Sequence, residues 1–236
     1  MALPKLDTPR YEMTIPSTGK KVVYRPYLVK EEKILMLAME SQDQKQMVRA
    51  LKDVINSCTD GMADVESLAL FDIEYIILQL RGKSVGESTE VGLDCKSCGT
   101  KNDVIVELDK VTVNVPSKTT RKIKLTDNVG IQMKYPSVNS IMNSDLSEEN
   151  MTIDKMFDLI VDCIDSIYTN EEIFDASEQT KDELKDFLES LSSEQFAKVK
   201  KFIEEMPVAS LPIDFVCGKC GEHNHFDVKG LANFFG

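Results

Sequence analysis

Phe215-Val216-Cys217-Gly218-Lys219-Cys220-Gly221-Glu222-His223-Asn224 has a twin far upstream, Leu93-Asp94-Cys95-Lys96-Ser97-Cys98-Gly99-Thr100-Lys101-Asn102. In both, a run of apolar and polar residues ends at the first cysteine, glycine follows the second, and asparagine comes three residues after the glycine. Each copy predicts a strand, a tight knuckle and a returning strand. A Cys-x-x-Cys-Gly turn presents two thiolates at one corner of a tetrahedron, and two such turns supply the four sulfurs of a closed structural zinc site. Cys95, Cys98, Cys217 and Cys220 are the expected ligands of one zinc per chain. Iron accepts the same four thiolates, and spacing alone does not separate the two metals.

Other uses of these cysteines fit less well. The chain opens without a signal-peptide pattern and reads as intracellular, where thiols stay reduced, so two local disulfides are not expected. Thioredoxin-like chemistry needs its Cys-x-x-Cys at the start of a helix, whereas both pairs here lead into strand-like runs, Asn102 to Leu108 and Asn224 to Val228. His223 and His225 adjoin the second knuckle, but four sulfurs already complete the shell, and both read as surface residues of the returning strand.

The chain has 236 residues, 42% hydrophobic and 29% charged, enough for one substantial domain or two small ones. Its formal net charge of −12 argues against a phosphate-binding surface, which demotes the nucleic-acid role that zinc ribbons often play. Lys118, Arg121, Lys122 and Lys124 form the one basic cluster near the ribbon. No apolar run is long enough to span a bilayer, and charges interrupt the best candidate at Ile73 to Leu80. The chain therefore reads as neither secreted nor membrane-inserted.

Tyr11 to Ile15 and Lys21 to Tyr24 alternate around Pro16-Ser17-Thr18-Gly19, which predicts a hairpin. Beyond Pro26 the period becomes helical, with Ile34, Leu35, Ala38 and Met39 on one face. Ser41 to Gln44 reads as a capping box for a second helix whose stripe is Met47, Val48, Leu51, Val54, Ile55 and Cys58. Asp64 is the expected cap of a third, deeply buried helix carrying Leu68, Phe71, Tyr75, Ile76 and Leu80. Asp72 and Glu74 read as solvated or salt-bridged rather than catalytic, because a spacing of two puts them on different helix faces. Gly82-Lys83-Ser84 resembles the tail of a phosphate loop but lacks the glycine five residues earlier, where Ile77 stands. Arg121 to Leu125 and Ile131 to Tyr135 predict a hairpin. After Pro136, the residues Ile153, Met156, Phe157, Ile160, Ile164 and Ile167 read as one helical stripe, with Cys163 at its border. Thr180 to Glu183 and Ser192 to Gln195 are capping boxes, with Leu191 stapled onto Phe196. Cys58 and Cys163 read as core residues.

Between Cys98 and Cys217 lie 118 residues, so the ribbon is split and the metal acts as a clasp. Closing so long a loop costs about 5 kcal/mol, while zinc supplies roughly 10 to 16 kcal/mol in small peptides. The expected fold class is α+β, with a helical N-terminal region and a helical lobe joined by a split zinc ribbon of short antiparallel strands. The expected divisions are 1–87 (hairpin and three helices), 88–135 (first half of the ribbon and a β segment), 136–207 (helical lobe) and 208–236 (second half of the ribbon and a C-terminal turn).

The chain also resembles the baseplate hub and hub assembly proteins of T4-type contractile-tailed bacteriophages. The resemblance rests on Leu3-Pro4 and Tyr11 to Lys20, on Arg25 to Lys33, on both knuckles, on Leu125-Thr126-Asp127 through Lys134-Tyr135-Pro136, and on Gly230 to Phe235. It implies a non-enzymatic role in building the central hub of the tail baseplate, as a structural component or assembly chaperone. The implied partners are other baseplate hub proteins; the net charge and the short apolar runs already argue against nucleic acid and membrane, and no small-molecule substrate is expected. The implied place is the host cytoplasm during assembly, or the tail baseplate of the virion. A zinc-ribbon nucleic-acid or transcription accessory factor is the alternative. With the metal site closed, function is expected on a surface, and Leu3 to Lys33 is the expected docking segment, anchored by Tyr11, Tyr24, Arg25 and Tyr27. The competing expectation is that this hairpin merely covers the helices of residues 34 to 82.

Overall fold

The computed structural model describes residues 6–115, 121–143 and 152–229. Leu3-Pro4, Lys118 and residues 230–235, all used above, lie outside them. The chain is α+β, and it divides into two compact units, residues 1–114 with 208–236, and residues 115–207.

The first unit opens with a hairpin of β1 (Tyr11–Thr14) and β2 (Lys21–Tyr24), in register from Tyr11 opposite Tyr24 to Thr14 opposite Lys21. Three helices follow, α1 (Val29–Ser41), α2 (Gln44–Cys58) and α3 (Leu70–Ser84). The α2 stripe behaves as its spacing requires, with Leu51, Val54, Ile55 and Cys58 buried. Its cap is Asp43 rather than Ser41: the Asp43 carboxylate accepts the amides of Lys45 and Gln46. Ser41 is still the last residue of α1, and Gln42 turns left-handed between the two helices, so the cap falls two residues later. The third helix likewise starts at Leu70 and not at Asp64, which instead closes a turn onto Ser67.

Asp72 and Glu74 are not solvated; they are 0% and 9% exposed. The Asp72 carboxylate accepts the Ala69 amide at the start of α3 and the Ser17 amide in the β1–β2 turn, at 3.1 and 2.9 Å. It thus satisfies a helix terminus and pins the hairpin onto the helices at once. Gly82-Lys83-Ser84 forms the last turn of α3, whereas a phosphate loop would precede a helix.

Two of the four expected docking anchors are interior, while Tyr11 and Tyr27 are half-buried. Tyr24 and Arg25 are buried, the Arg25 amide donates to the Cys58 carbonyl, and the Tyr27 amide donates to Ser84 Oγ. Buried Arg25 also bonds Glu31 at 2.9 Å, and Glu31 accepts the Leu28 amide at 2.8 Å where α1 begins.

The unit is completed by an antiparallel ribbon of β3 (Ser88–Asp94) and β4 (Lys101–Glu107) and by β5 (Thr112–Val113). Two late strands join it, β10 (Ala209–Val216) and β11 (His223–Lys229), in the sheet order β11-β10-β5. Leu78 of α3 meets Val106, Leu108, Val111, Ala209, Leu211 and Ile213 in one cluster. Residues from both ends of the chain therefore share a core.

The second unit holds β6 (Lys122–Lys124), β7 (Val129–Met133), α4 (Val138–Asn143), α5 (Ile153–Asp162), β8 (Ile164–Thr169), β9 (Ile173–Asp175), α6 (Lys181–Glu189) and α7 (Ser193–Glu204). Its sheet runs β6-β7-β8-β9, all antiparallel. The expected helical lobe of residues 136–207 thus also supplies two strands, β8 and β9, to this sheet. The apolar stripe from Ile153 to Ile167 is two elements: α5 is capped by Cys163, whose amide bonds the Leu159 and Ile160 carbonyls, and Ile164-Asp165-Ser166-Ile167-Tyr168-Thr169 runs on as a strand. The spacing Ile160, Ile164, Ile167 is helical, but beyond the Cys163 cap the β-branched and aromatic Ile164, Ile167, Tyr168 and Thr169 favour a strand. Both capping boxes are present, with Thr180 and Ser192 accepting the amides of Glu183 and Gln195. Leu191 and Phe196 pack on the same cluster, and Phe196 stacks on Phe157.

Gly130 lies opposite Tyr168 in the β7–β8 pair. A Cβ there would stand 2.1 Å from the Tyr168 hydroxyl and 2.7 Å from the Ile123 carbonyl oxygen, and the backbone atom cannot swing aside. Gly130→Ala is expected to cost about 1 to 3 kcal/mol through overpacking, seen as a lower denaturation midpoint. An unchanged midpoint would mean that β6 and β7 part without penalty.

Candidate metal centre

The β3–β4 and β10–β11 hairpins each end in a knuckle, and the two knuckles are built alike. The Gly99 amide bonds the Cys95 carbonyl and the Cys95 amide the Thr100 carbonyl; Gly221, Cys217 and Glu222 repeat the pair, all at 2.9 Å. Gly99 and Gly221 have φ of +66° and +74°, a conformation costly to any residue with a Cβ, which explains the glycine after each second cysteine.

The sulfurs of Cys95, Cys98, Cys217 and Cys220 all lie within 4.8 Å of one another. Cys95 pairs across with Cys220 and Cys98 with Cys217, each at 3.7 Å, far longer than a disulfide bond of about 2.05 Å. Cys95 and Cys217 are buried, while Cys98 and Cys220 are exposed. Four soft thiols converging at this spacing can hold a metal ion. Among the described residues no other group of histidine, cysteine or carboxylate side chains does so.

Two residues without an assigned role in the sequence analysis brace the cluster. Asn102 crosses to the second knuckle, accepting the Gly218 amide at 3.0 Å and pointing its amide nitrogen at Cys217 Sγ, 3.7 Å away. Asn224 does the same in reverse, accepting the Lys96 amide at 2.9 Å and donating to Cys95 Sγ at 3.5 Å. Each asparagine also ties back to its own turn, through the Thr100 or Glu222 carbonyl. The signal was in the sequence, since asparagine recurs at the same place in both copies.

Electrostatics divide the sulfurs. The backbone amides of Cys98 and Ser97 pull the Cys95 thiol below its usual range, helped by Asn224. The amides of Cys220 and Lys219 pull Cys217 down to about 6. For Cys220 the Glu222 amide favours the thiolate, but the sulfurs of Cys98, Cys217 and Cys95 push it up to about 12. Four close thiolates repel, so without a cation some keep their protons.

The remaining candidates sit elsewhere. Cys58 and Cys163 are fully buried, and burial raises their thiols to about 11 and about 12. His223 and His225 lie on exposed positions of β11, with His225 Nδ1 2.8 Å from Asp214. In the basic cluster, Arg121 sits over Tyr135, Lys122 over Tyr168, and Lys124 pairs with Asp127. No described helix is long and apolar enough to cross a membrane.

Asn224→Ala is expected to weaken metal retention about 10- to 100-fold, as removal of a group orienting the ligands does, read by competition with a chromogenic chelator. Retention equal to that of the unaltered chain would reduce both asparagines to fillers.

No solved structure matches the chain. The baseplate hub assembly protein gp26 of Enterobacteria phage T4 is 22% identical over 218 residues, spanning 92% of this chain and 94% of that protein. The family model described as T4 bacteriophage base plate protein matches residues 8–236, and the chain belongs to that family.

Proposed function

We propose that this chain acts, without chemical catalysis, in assembling the central hub of a phage tail baseplate, and that one structural zinc joins its two knuckles. The family match over residues 8–236, together with likeness to a named hub assembly protein, carries the assembly role. The four converging sulfurs carry the metal. Zinc–sulfur bonds of about 2.3 Å put tetrahedral sulfurs about 3.8 Å apart, which agrees with the 3.7 Å of the two crossing pairs. Cys95, Cys98, Cys217 and Cys220 would hold the ion, with no coordination position left for a substrate. Function then lies on surfaces that meet other baseplate hub proteins, in the host cytoplasm during assembly or in the tail baseplate of the virion.

The test is co-expression with the other hub proteins of the same phage, followed by affinity capture and complementation of an infection lacking this chain. Stoichiometric co-purification and restored tails are expected. Normal tails without the chain would end the assembly reading, and purified protein without zinc would end the metal reading.

A further inference from the structure

Helix α1 is apolar on the side turned away from its own unit. Leu35 and Ala38 are buried and Glu31 turns inward onto Arg25, yet Met36 and Leu37 are 57% and 54% exposed and Ile34 and Met39 both 41%. Lys33, Met36, Leu37 and Glu40 stand at i, i+3, i+4 and i+7, which is one face of a helix. All four are exposed. A lone apolar residue on a surface means little, but a helix with apolar residues on both sides normally has both covered.

The order of this face is self-complementary. Lys33 and Glu40 are equally far from the midpoint between Met36 and Leu37, one on each side. When two such helices meet antiparallel, with a two-fold axis through that midpoint, Lys33 of each faces Glu40 of the other. Met36 then meets Met36 and Leu37 meets Leu37. Seven positions separate the charges, about 10.5 Å along the helix, so both ion pairs flank one apolar centre. Charge favours a second copy for a further reason. The chain carries −12 overall, but on the exposed side of α1 Lys30 and Lys33 balance Glu32 and Glu40, so two copies meet here without local repulsion.

We propose that α1 is an isologous dimer interface, in which the Lys33-Met36-Leu37-Glu40 face of one copy packs antiparallel on the same face of a second. Methionine suits such a seam, being flexible enough to fill an irregular gap. The inference is independent of the metal, because none of these residues touches the cysteine cluster.

The test is sedimentation of the zinc-loaded full chain over a concentration series. The unaltered chain is expected to move from 26.6 kDa to twice that mass as concentration rises. Leu37→Asp should remain monomeric, with unchanged zinc content and circular dichroism because the position is exposed. Lys33→Glu and Glu40→Lys should each weaken dimerisation by about tenfold, and the double exchange should restore it. A monomer at every concentration overturns the proposal, as does a dimer indifferent to Leu37→Asp or a double exchange no better than the single changes. Monomeric protein that loses a hub partner on Leu37→Asp would assign the face to that partner and also overturn it.

Discussion

Cys95→Ser is expected to abolish stoichiometric zinc binding and to unfold the paired hairpins while leaving residues 115–207 folded. The lost ligand opens the tetrahedron, and the remaining three thiolates lose a metal worth roughly 10 to 16 kcal/mol in small zinc peptides. That is as large as the whole stability of most domains, about 5 to 15 kcal/mol. The effect should stay local, because Ile131, Met133, Ile160, Ile164 and Val199 form a cluster wholly within residues 115–207. Metal analysis with hydrogen exchange resolves the outcome: protection should fall in 88–113 and 209–229 and persist in 153–204. Acid should act in the same direction, since protons compete with metal for sulfur and Cys217 holds its proton only below about 6. A Cys95→Ser chain with full zinc and an unchanged unfolding midpoint would show that the cluster is not the ligand set.

Glu31→Ala should destabilise the first unit by about 3 to 5 kcal/mol, because it strands a buried guanidinium. Among the described residues, Arg25 has only the Pro26 carbonyl and the weak Cys58 sulfur besides Glu31 as side-chain partners. The same loss removes the acceptor of the Leu28 amide, at the residue that leads into α1. Burial alone would raise the Glu31 pKa, but the bonds from Arg25, Leu28 and Lys30 outweigh it and hold the group below its usual value. A depressed carboxyl contributes stability above the unfolded pKa and loses it as pH falls through the folded one. Asp72 has the opposite sign, since burial raises its pKa and its contribution weakens as pH climbs through that raised value. Chemical denaturation from pH 7 to pH 3 should therefore show a steeper acid loss in the unaltered chain than in Glu31→Ala. Parallel curves would remove the pair from the stability of this unit.

The knuckles were legible because their chemistry is local: the ligands, the left-handed glycine and the bracing asparagine fall within eight residues, twice. Thr180 and Ser192 were legible as caps for the same reason, since a capping box spans one turn. What local sequence does not contain is the partner across space. Asp72 looks like any exposed helix carboxylate until the Ser17 amide, 55 residues away, arrives to bond it. Tyr24 and Arg25 look like surface anchors until α2 supplies the Cys58 carbonyl. The stripe ending at Ile167 keeps a helical period throughout, yet pairing with Val129–Met133 turns its second half into a strand.

The first unit is made from the two ends of the chain, with residues 115–207 between them. On the ribosome this fixes an order of events. Cys95 and Cys98 emerge early, as a half-site that holds metal poorly, and β5 waits beside an empty place for β10. Residues 115–207 can finish folding during that wait, since their core needs nothing from either end. Only when Cys217 and Cys220 appear, after the 118 residues that follow Cys98, can the first unit close, so a chain released between residues 207 and 217 would carry a finished insert on an unfinished host.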